Sequence, residues 1–126
     1  MRRTVVLMAL AAVASAVSLI AAGPLTVDAK VCTSVKDRAP AGVSESFPAA
    51  VGELYCFTEV TGGPGAVSHV WIHGDKELTK IELPVKAGRW RTWSAKRITP
   101  AMAGDWRVEV RDPAGAVLAT VKFAVK

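Results

Sequence analysis

Asparagine and glutamine occur nowhere in these 126 residues. With no side-chain amide available, the turns fall to Gly, Pro and Asp, which act through backbone freedom, a fixed φ and a short acceptor respectively. Cysteine and histidine occur only twice each, too sparse a donor set to read as a metal site. No Gly-x-Ser-x-Gly elbow, phosphate-binding loop or dinucleotide fingerprint is present, so the sequence calls for no cofactor and shows no motif of a hydrolase or a nucleotide enzyme. After residue 30 no stretch repeats its apolar residues at helical spacing, and no second apolar run is long enough to span a membrane.

What is there begins with an N-terminal pattern of export. Arg2 and Arg3 precede an uncharged apolar run of about 18 residues, Val5 to Ala22, at the lower edge of a spanning helix. Gly23 and Pro24 break any helix, and Val27-Asp28-Ala29 offers residues a signal peptidase accepts. The expectation is a cleaved secretory signal over 1–29, a single domain over 30–126, and a periplasmic or secreted location. An uncleaved anchor is the competing reading. Cleavage removes Arg2, Arg3 and Asp28, so the net charge falls from +5 to +4. That excess is too small to argue for nucleic acid.

Both Cys32 and Cys56 lie beyond the expected cut. An even count in an exported chain predicts a Cys32–Cys56 disulfide. Its loop of about 25 residues would contribute roughly 3.5 kcal/mol through the entropy of the unfolded chain. Two buried free thiols, or one intermolecular bridge, are the alternatives.

The mature part reads as short alternating segments rich in Val, Ile, Thr and aromatics, cut by Gly, Pro and Asp. Trp106-Arg107-Val108-Glu109-Val110-Arg111 alternates cleanly, Asp112-Pro113-Ala114-Gly115 makes a turn, and Val117–Val125 completes a hairpin. Further strands are expected over Lys30–Val35, Leu54–Thr61, Val67–His73, Glu77–Val85 and Arg89–Ile98. Residues 36–52 read as an irregular connection in which Phe47 plugs the core; Gly74-Asp75 suits a type II′ hairpin. About seven strands at short spacing predict an all-β, antiparallel two-sheet sandwich of immunoglobulin or fibronectin type, with a small barrel as the alternative.

Four segments in order carry a family resemblance: Leu54-Tyr55-Cys56-Phe57-Thr58-Glu59-Val60; His69-Val70-Trp71; Arg89-Trp90-Arg91-Thr92-Trp93-Ser94; and Gly104-Asp105-Trp106-Arg107-Val108-Glu109-Val110. Together, over roughly Cys32 to Val125, the chain resembles the bacterial family called domain of unknown function 2914. The resemblance implies an exported or envelope-associated β domain, and it brings no activity and no functional residue.

Candidate chemistry is thin. His69 and His73 share a strand face, but four strand positions span roughly 13 Å, too far for both to meet one metal at ligand distances of about 2.1 Å. Ser94 is the best-placed serine for a hydrolase, Ser68 beside His69 points to the opposite face, and Glu59, Glu77, Glu82 and Glu109 fit a solvated strand face. What stands out is Lys86–Arg97. It holds Lys86, Arg89, Arg91, Lys96 and Arg97 with no acid from Leu83 to Gly104, and Trp90 and Trp93 interleave with them. By strand parity one of these tryptophans faces the core and the other the surface, while Trp71 and Trp106 are assigned to the core. Either the arginine stems cover the tryptophan faces as a structural ladder, or Arg89, Trp90, Arg91, Trp93, Lys96 and Arg97 bind an anionic envelope polymer or an acidic protein face. The expected function is a non-catalytic binding or structural module of the cell envelope, with a small envelope-polymer hydrolase as the alternative.

Overall fold

The computed structural model describes residues 24–126; the segment expected as a signal peptide lies, up to Gly23, outside them. Ten strands form: β1 (Thr26–Cys32), β2 (Ser34–Lys36), β3 (Ala39–Ala41), β4 (Ser46–Phe47), β5 (Gly52–Thr61), β6 (Gly65–His73), β7 (Lys76–Val85), β8 (Arg89–Ile98), β9 (Gly104–Arg111) and β10 (Val117–Val125). Seven are long, the number expected from the alternating segments. The three short ones, β2 to β4, occupy the stretch read as irregular. They are too brief for a period of two to register in the sequence.

A three-stranded sheet, β1-β5-β8, faces a five-stranded sheet, β4-β10-β9-β6-β7, and β2 and β3 form a separate hairpin. Long neighbours pair antiparallel, and β4 runs parallel to β10. This is an all-β two-sheet sandwich, as its alternating strands require: one face of each sheet is apolar and must be covered. Between the sheets lie Val31, Leu54, Cys56, Trp71, Ile98, Trp106, Val108 and Phe123, with Phe47 closing one end at ring-centroid distances typical of aromatic contact. A second cluster of Val60, Val67, Val85 and Val110 fills the other end. Trp71 and Trp106 are in the core as expected. Gly74 turns β6 into β7 at φ +63°, and Asp112 Oδ1 accepts from the amides of Ala114 and Ala116 to fold the β9–β10 turn.

The expected disulfide is not formed: Cys32 and Cys56 are both free and buried. The ladder register gives the reason. Cys32 lies opposite Tyr55, and Val31 opposite Cys56. Side chains opposite each other share a face and successive ones alternate. Cys56 therefore points between the sheets with Val31, while Cys32 points to the outer face with Tyr55, its thiol donating to the Tyr55 carbonyl at 3.8 Å. The sulfurs lie on opposite sides of the sheet, a separation that no rotamer of either side chain bridges. Burial raises both thiols, Cys56 to about 12, so the reactive thiolate is suppressed in the fold. Labelling under denaturing, non-reducing conditions is expected to find two thiols per chain, and the native protein is expected to react slowly. A single-bridge protein with no labelled thiol would overturn this register.

β1 begins at Thr26, so the expected cut after Ala29 falls inside a strand. Thr26, Val27, Asp28 and Ala29 pair with Thr61, Val60, Glu59 and Thr58, and Leu25, Val27 and Ala29 pack on the second core cluster. A chain starting at Lys30 is expected to lose about 3 kcal/mol relative to one starting at Pro24, from the lost ladder and apolar burial. Urea unfolding of the two chains measures this, and equal stability would show that the first half of β1 contributes nothing.

Candidate functional site

The Ser–His pair that a hydrolase would need does form, in the middle of the core. Trp71 Nε1–H donates to Ser94 Oγ at 3.2 Å, and the Thr58 hydroxyl donates to the Thr92 carbonyl at 2.7 Å. With its proton committed there, Thr58 Oγ1 accepts from His69 Nε2–H at 3.2 Å. His69 Nδ1 is then the bare nitrogen of a neutral imidazole and accepts the Ser94 hydroxyl at 2.7 Å. Every donor in this chain meets one acceptor. Both ring nitrogens face hydroxyls, and none is left for the carboxylate that orients a catalytic histidine. Ser94 and His69 are buried, His69 completely. Burial pushes the imidazole down to about 4 from its usual 6.5. The chain ties β5 and β8 of one sheet to β6 of the other, and its role is structural. His73 lies apart, stacked on Trp106 at 4.6 Å with Nε2 hydrogen-bonded to the Ala103 carbonyl at 3.0 Å. The two histidines converge on no common point.

This chain of bonds makes two linked predictions. Ser94→Ala strands the Trp71 N–H and the His69 Nδ1 in the core and is expected to cost about 2–4 kcal/mol in urea unfolding. Between pH 6.5 and 4 the unfolded chain takes up a proton on His69 that the folded chain refuses. The stability associated with His69 is therefore full above pH 6.5 and falls by about 3 kcal/mol as the pH drops toward 4. Glu59 and Glu109, held down chiefly by hydrogen bonds from Arg89 and Arg111, add a loss that begins only below their ordinary 4.5. An unfolding free energy flat from pH 6.5 to 5 would contradict the neutral buried ring.

Ser94 pointing inward fixes the rest of β8 by alternation. Ile98 is buried with it, and Trp90 is half-buried against the second core cluster. Arg89, Arg91, Trp93 and Arg97 point outward. Trp93 is 36 % exposed and stacks on Phe57 at 5.9 Å, with an angle of 16° between the rings. The expected division between the two tryptophans holds, Trp90 inward and Trp93 outward. The structure also divides the cationic strip. Lys96 shares the inward parity, and Arg97, opposite Glu53, sits six residues and so about 20 Å along the strand from Arg91. Arg89 and Arg91 come together. Arg89 Nε lies 2.8 Å and Arg91 Nε 3.6 Å from the same oxygen of Glu59, the residue opposite Arg91 on β5.

The β2–β3 hairpin lies over this outer face. Its tip, Asp37-Arg38, takes φ of +51° and +61°, a left-handed pair that suits a two-residue turn but is uncommon for non-glycine residues. The Arg38 carbonyl accepts from Arg91 Nη1 at 3.4 Å. Arg38, Glu59, Arg89 and Arg91 line an open concavity of about 330 Å³. A smaller one of about 180 Å³ continues toward Lys30 and the covered Phe57. Sequence reasoning missed Arg38, which reaches the site only because the hairpin folds back, and it treated Glu59 as merely solvated. A larger groove of about 420 Å³ at β9 and β10 carries Glu45, Asp105, Arg107 and Lys122, two charges of each sign, and so has no preferred partner charge.

The fold and this face define an antiparallel β-sandwich bearing an arginine-rich, aromatic outer surface. Residues 64–125 match the model of the family described as "Protein of unknown function (DUF2914)", the family whose motifs the sequence resembles. The match starts at the end of the β5–β6 loop, so it includes three of the four resembling segments and leaves out Leu54–Val60. No match to a curated protein was found. Among the described residues no helix is long and apolar enough to cross a membrane.

Proposed function

We propose that the chain is an exported, non-catalytic module of the cell envelope that binds an anionic partner, an acidic polymer or an acidic protein face, through the outer surface of the three-stranded sheet. The observation that supports this reading is the imbalance of charge around Glu59: one carboxylate holds two arginines while a third, Arg38, stands beside them. Arg89 is 73 % exposed at its side chain, so its guanidinium is available to a partner. Such charges speed encounter and make binding weaken with salt, and the exposed Trp93 supplies a desolvated contact. The Ser94–His69 geometry gives the hydrolase alternative no support, because the pair is sealed between the sheets.

The test is retention of the chain on immobilised polyglutamate and on an envelope fraction. The triple variant Arg89→Ser, Arg91→Ser, Arg97→Ser is expected to bind at least about tenfold more weakly than the parent while melting near the same temperature. Retention of a folded triple variant equal to that of the parent would make the arginines a structural ladder and defeat the reading.

A further inference from the structure

The arginine pocket is organised more narrowly than general attraction to anions requires. Arg89 and Arg91 both turn Nε toward one Glu59 oxygen, so the carboxylate takes the inner edge of each guanidinium. Their terminal nitrogens are left outward; among the described residues only Arg91 Nη1 has a protein acceptor, the Arg38 carbonyl. A terminal edge of this kind is the one a guanidinium offers to a tetrahedral or planar oxyanion as paired hydrogen bonds. Asp28, opposite Glu59 on β1, is paired with Lys30 at 3.1 Å, so the three arginines and one carboxylate that line the concavity leave a charge of +2, which a dianion balances and a single carboxylate does not. The open concavity of about 330 Å³ is large enough to admit such a group.

The neighbouring feature is a ring platform. Trp93 stands two residues beyond Arg91 on the same face, about 7 Å along the strand, and its orientation is set by the stack on Phe57. A further concavity of about 220 Å³ beside it is lined by Pro84, Lys86, Trp90, Arg91, Thr92 and Trp93 itself. Lys86 offers a polar group to ring hydroxyls, while the indole covers the ring's C–H face. From these features we infer that the pocket formed by Arg38, Arg89 and Arg91 around Glu59 is a site for a phosphomonoester carried on a sugar ring, with the phosphate in the arginine fork and the ring against Trp93. This rests on the binding-face reading and narrows its ligand.

Glucose 6-phosphate, glucose and inorganic phosphate are the probes, titrated against the full described chain and followed by amide NMR shifts and tryptophan fluorescence. Glucose 6-phosphate is expected to bind about tenfold more tightly than inorganic phosphate, with shifts centred on Arg38, Arg89, Arg91 and Trp93, and glucose alone to bind more weakly than either. The double variant Arg89→Lys, Arg91→Lys keeps the charge but loses the forks, and is expected to weaken glucose 6-phosphate about tenfold. Trp93→Ala is expected to bring glucose 6-phosphate down to the level of inorganic phosphate. Should the double variant melt early, Arg38→Lys at the exposed hairpin tip repeats the test away from the core. Glucose 6-phosphate binding no tighter than inorganic phosphate, a lysine variant as tight as the parent, or shifts centred on the Glu45–Lys122 groove would each overturn the inference. If polyglutamate is retained while glucose 6-phosphate does not bind, this inference fails and the broader binding face stands; loss of both defeats both.

Discussion

The hydrogen-bond chain from Trp71 through Ser94, His69 and Thr58 to the Thr92 carbonyl is the constraint on which the rest of the molecule turns. Apolar contacts between the sheets tolerate sliding, because valine against valine has no fixed partner. A buried hydroxyl and imidazole do not, because each unpaired group costs the full price of its lost water. The chain therefore sets the register between the sheets as well as their distance. It also sets what lies outside. With Ser94 inward, Trp93, Arg91 and Arg89 must point outward, and a slip of one residue in β8 would drive Trp93 and both arginines into the core. The surface chemistry is the obverse of the core chemistry on a single strand.

The outer faces of the two sheets use the same components in different proportions. On the five-stranded sheet Glu109 takes Arg107 at 3.1 Å and Arg111 at 2.7 Å, and Arg111 also reaches Glu77 at 2.8 Å. Two cations meet two acids there. The central residues Val70 and Ile72 of β6, opposite Glu109 and Arg107, are buried although they face outward, because these long side chains lie across them. That is the structural ladder expected as one reading of the Lys86–Arg97 strip, realised on another strand. The concavity around Glu59 is lined by three arginines and one acid, while Asp28 opposite Glu59 takes Lys30; Arg89 and Arg91 are more exposed than Arg107 and Arg111, and the aromatic platform is open on one side. The difference between the two faces is one of stoichiometry, and it appears only when the strands are placed side by side.

What was legible in the sequence was whatever depends on a period of two. The long strands, the β9–β10 hairpin, the inward Trp71 and Trp106 and the opposed Trp90 and Trp93 all follow from alternation within one segment. What was not legible depends on which residue stands across from which. The even count of cysteines, with the N-terminal pattern of export, argued for a bridge, yet one step of register between β1 and β5 puts the two sulfurs on opposite faces. Glu59 looked like any solvated acid until Arg91 was placed opposite it. Arg38 lay in a stretch with no period at all, and its part in the site depends on a hairpin tip with two positive φ angles. Ser94 was singled out as a serine and His69 as a histidine, but their meeting crosses from one sheet to the other.

The family match carries a consequence for where the working unit begins and ends. Residues 64–125 contain β6 to β10. Four of these belong to the five-stranded sheet, and β8 alone represents the other. A single strand cannot cover the inner faces of Trp71, Trp106, Val108 and Phe123, and β8 without β5 has no ladder to sit in. The matched segment is therefore one wall of a sandwich whose second wall, β1 and β5, comes from residues before it. The arginine site is divided in the same way: Arg89, Arg91 and Trp93 lie inside the matched segment, and Arg38, Phe57 and Glu59 lie outside. Glu59 is what turns two repelling arginines into an ordered pair, and Phe57 is what holds Trp93 flat. Within residues 64–125 alone the site is a row of unanchored cations; the preceding forty residues give it a shape.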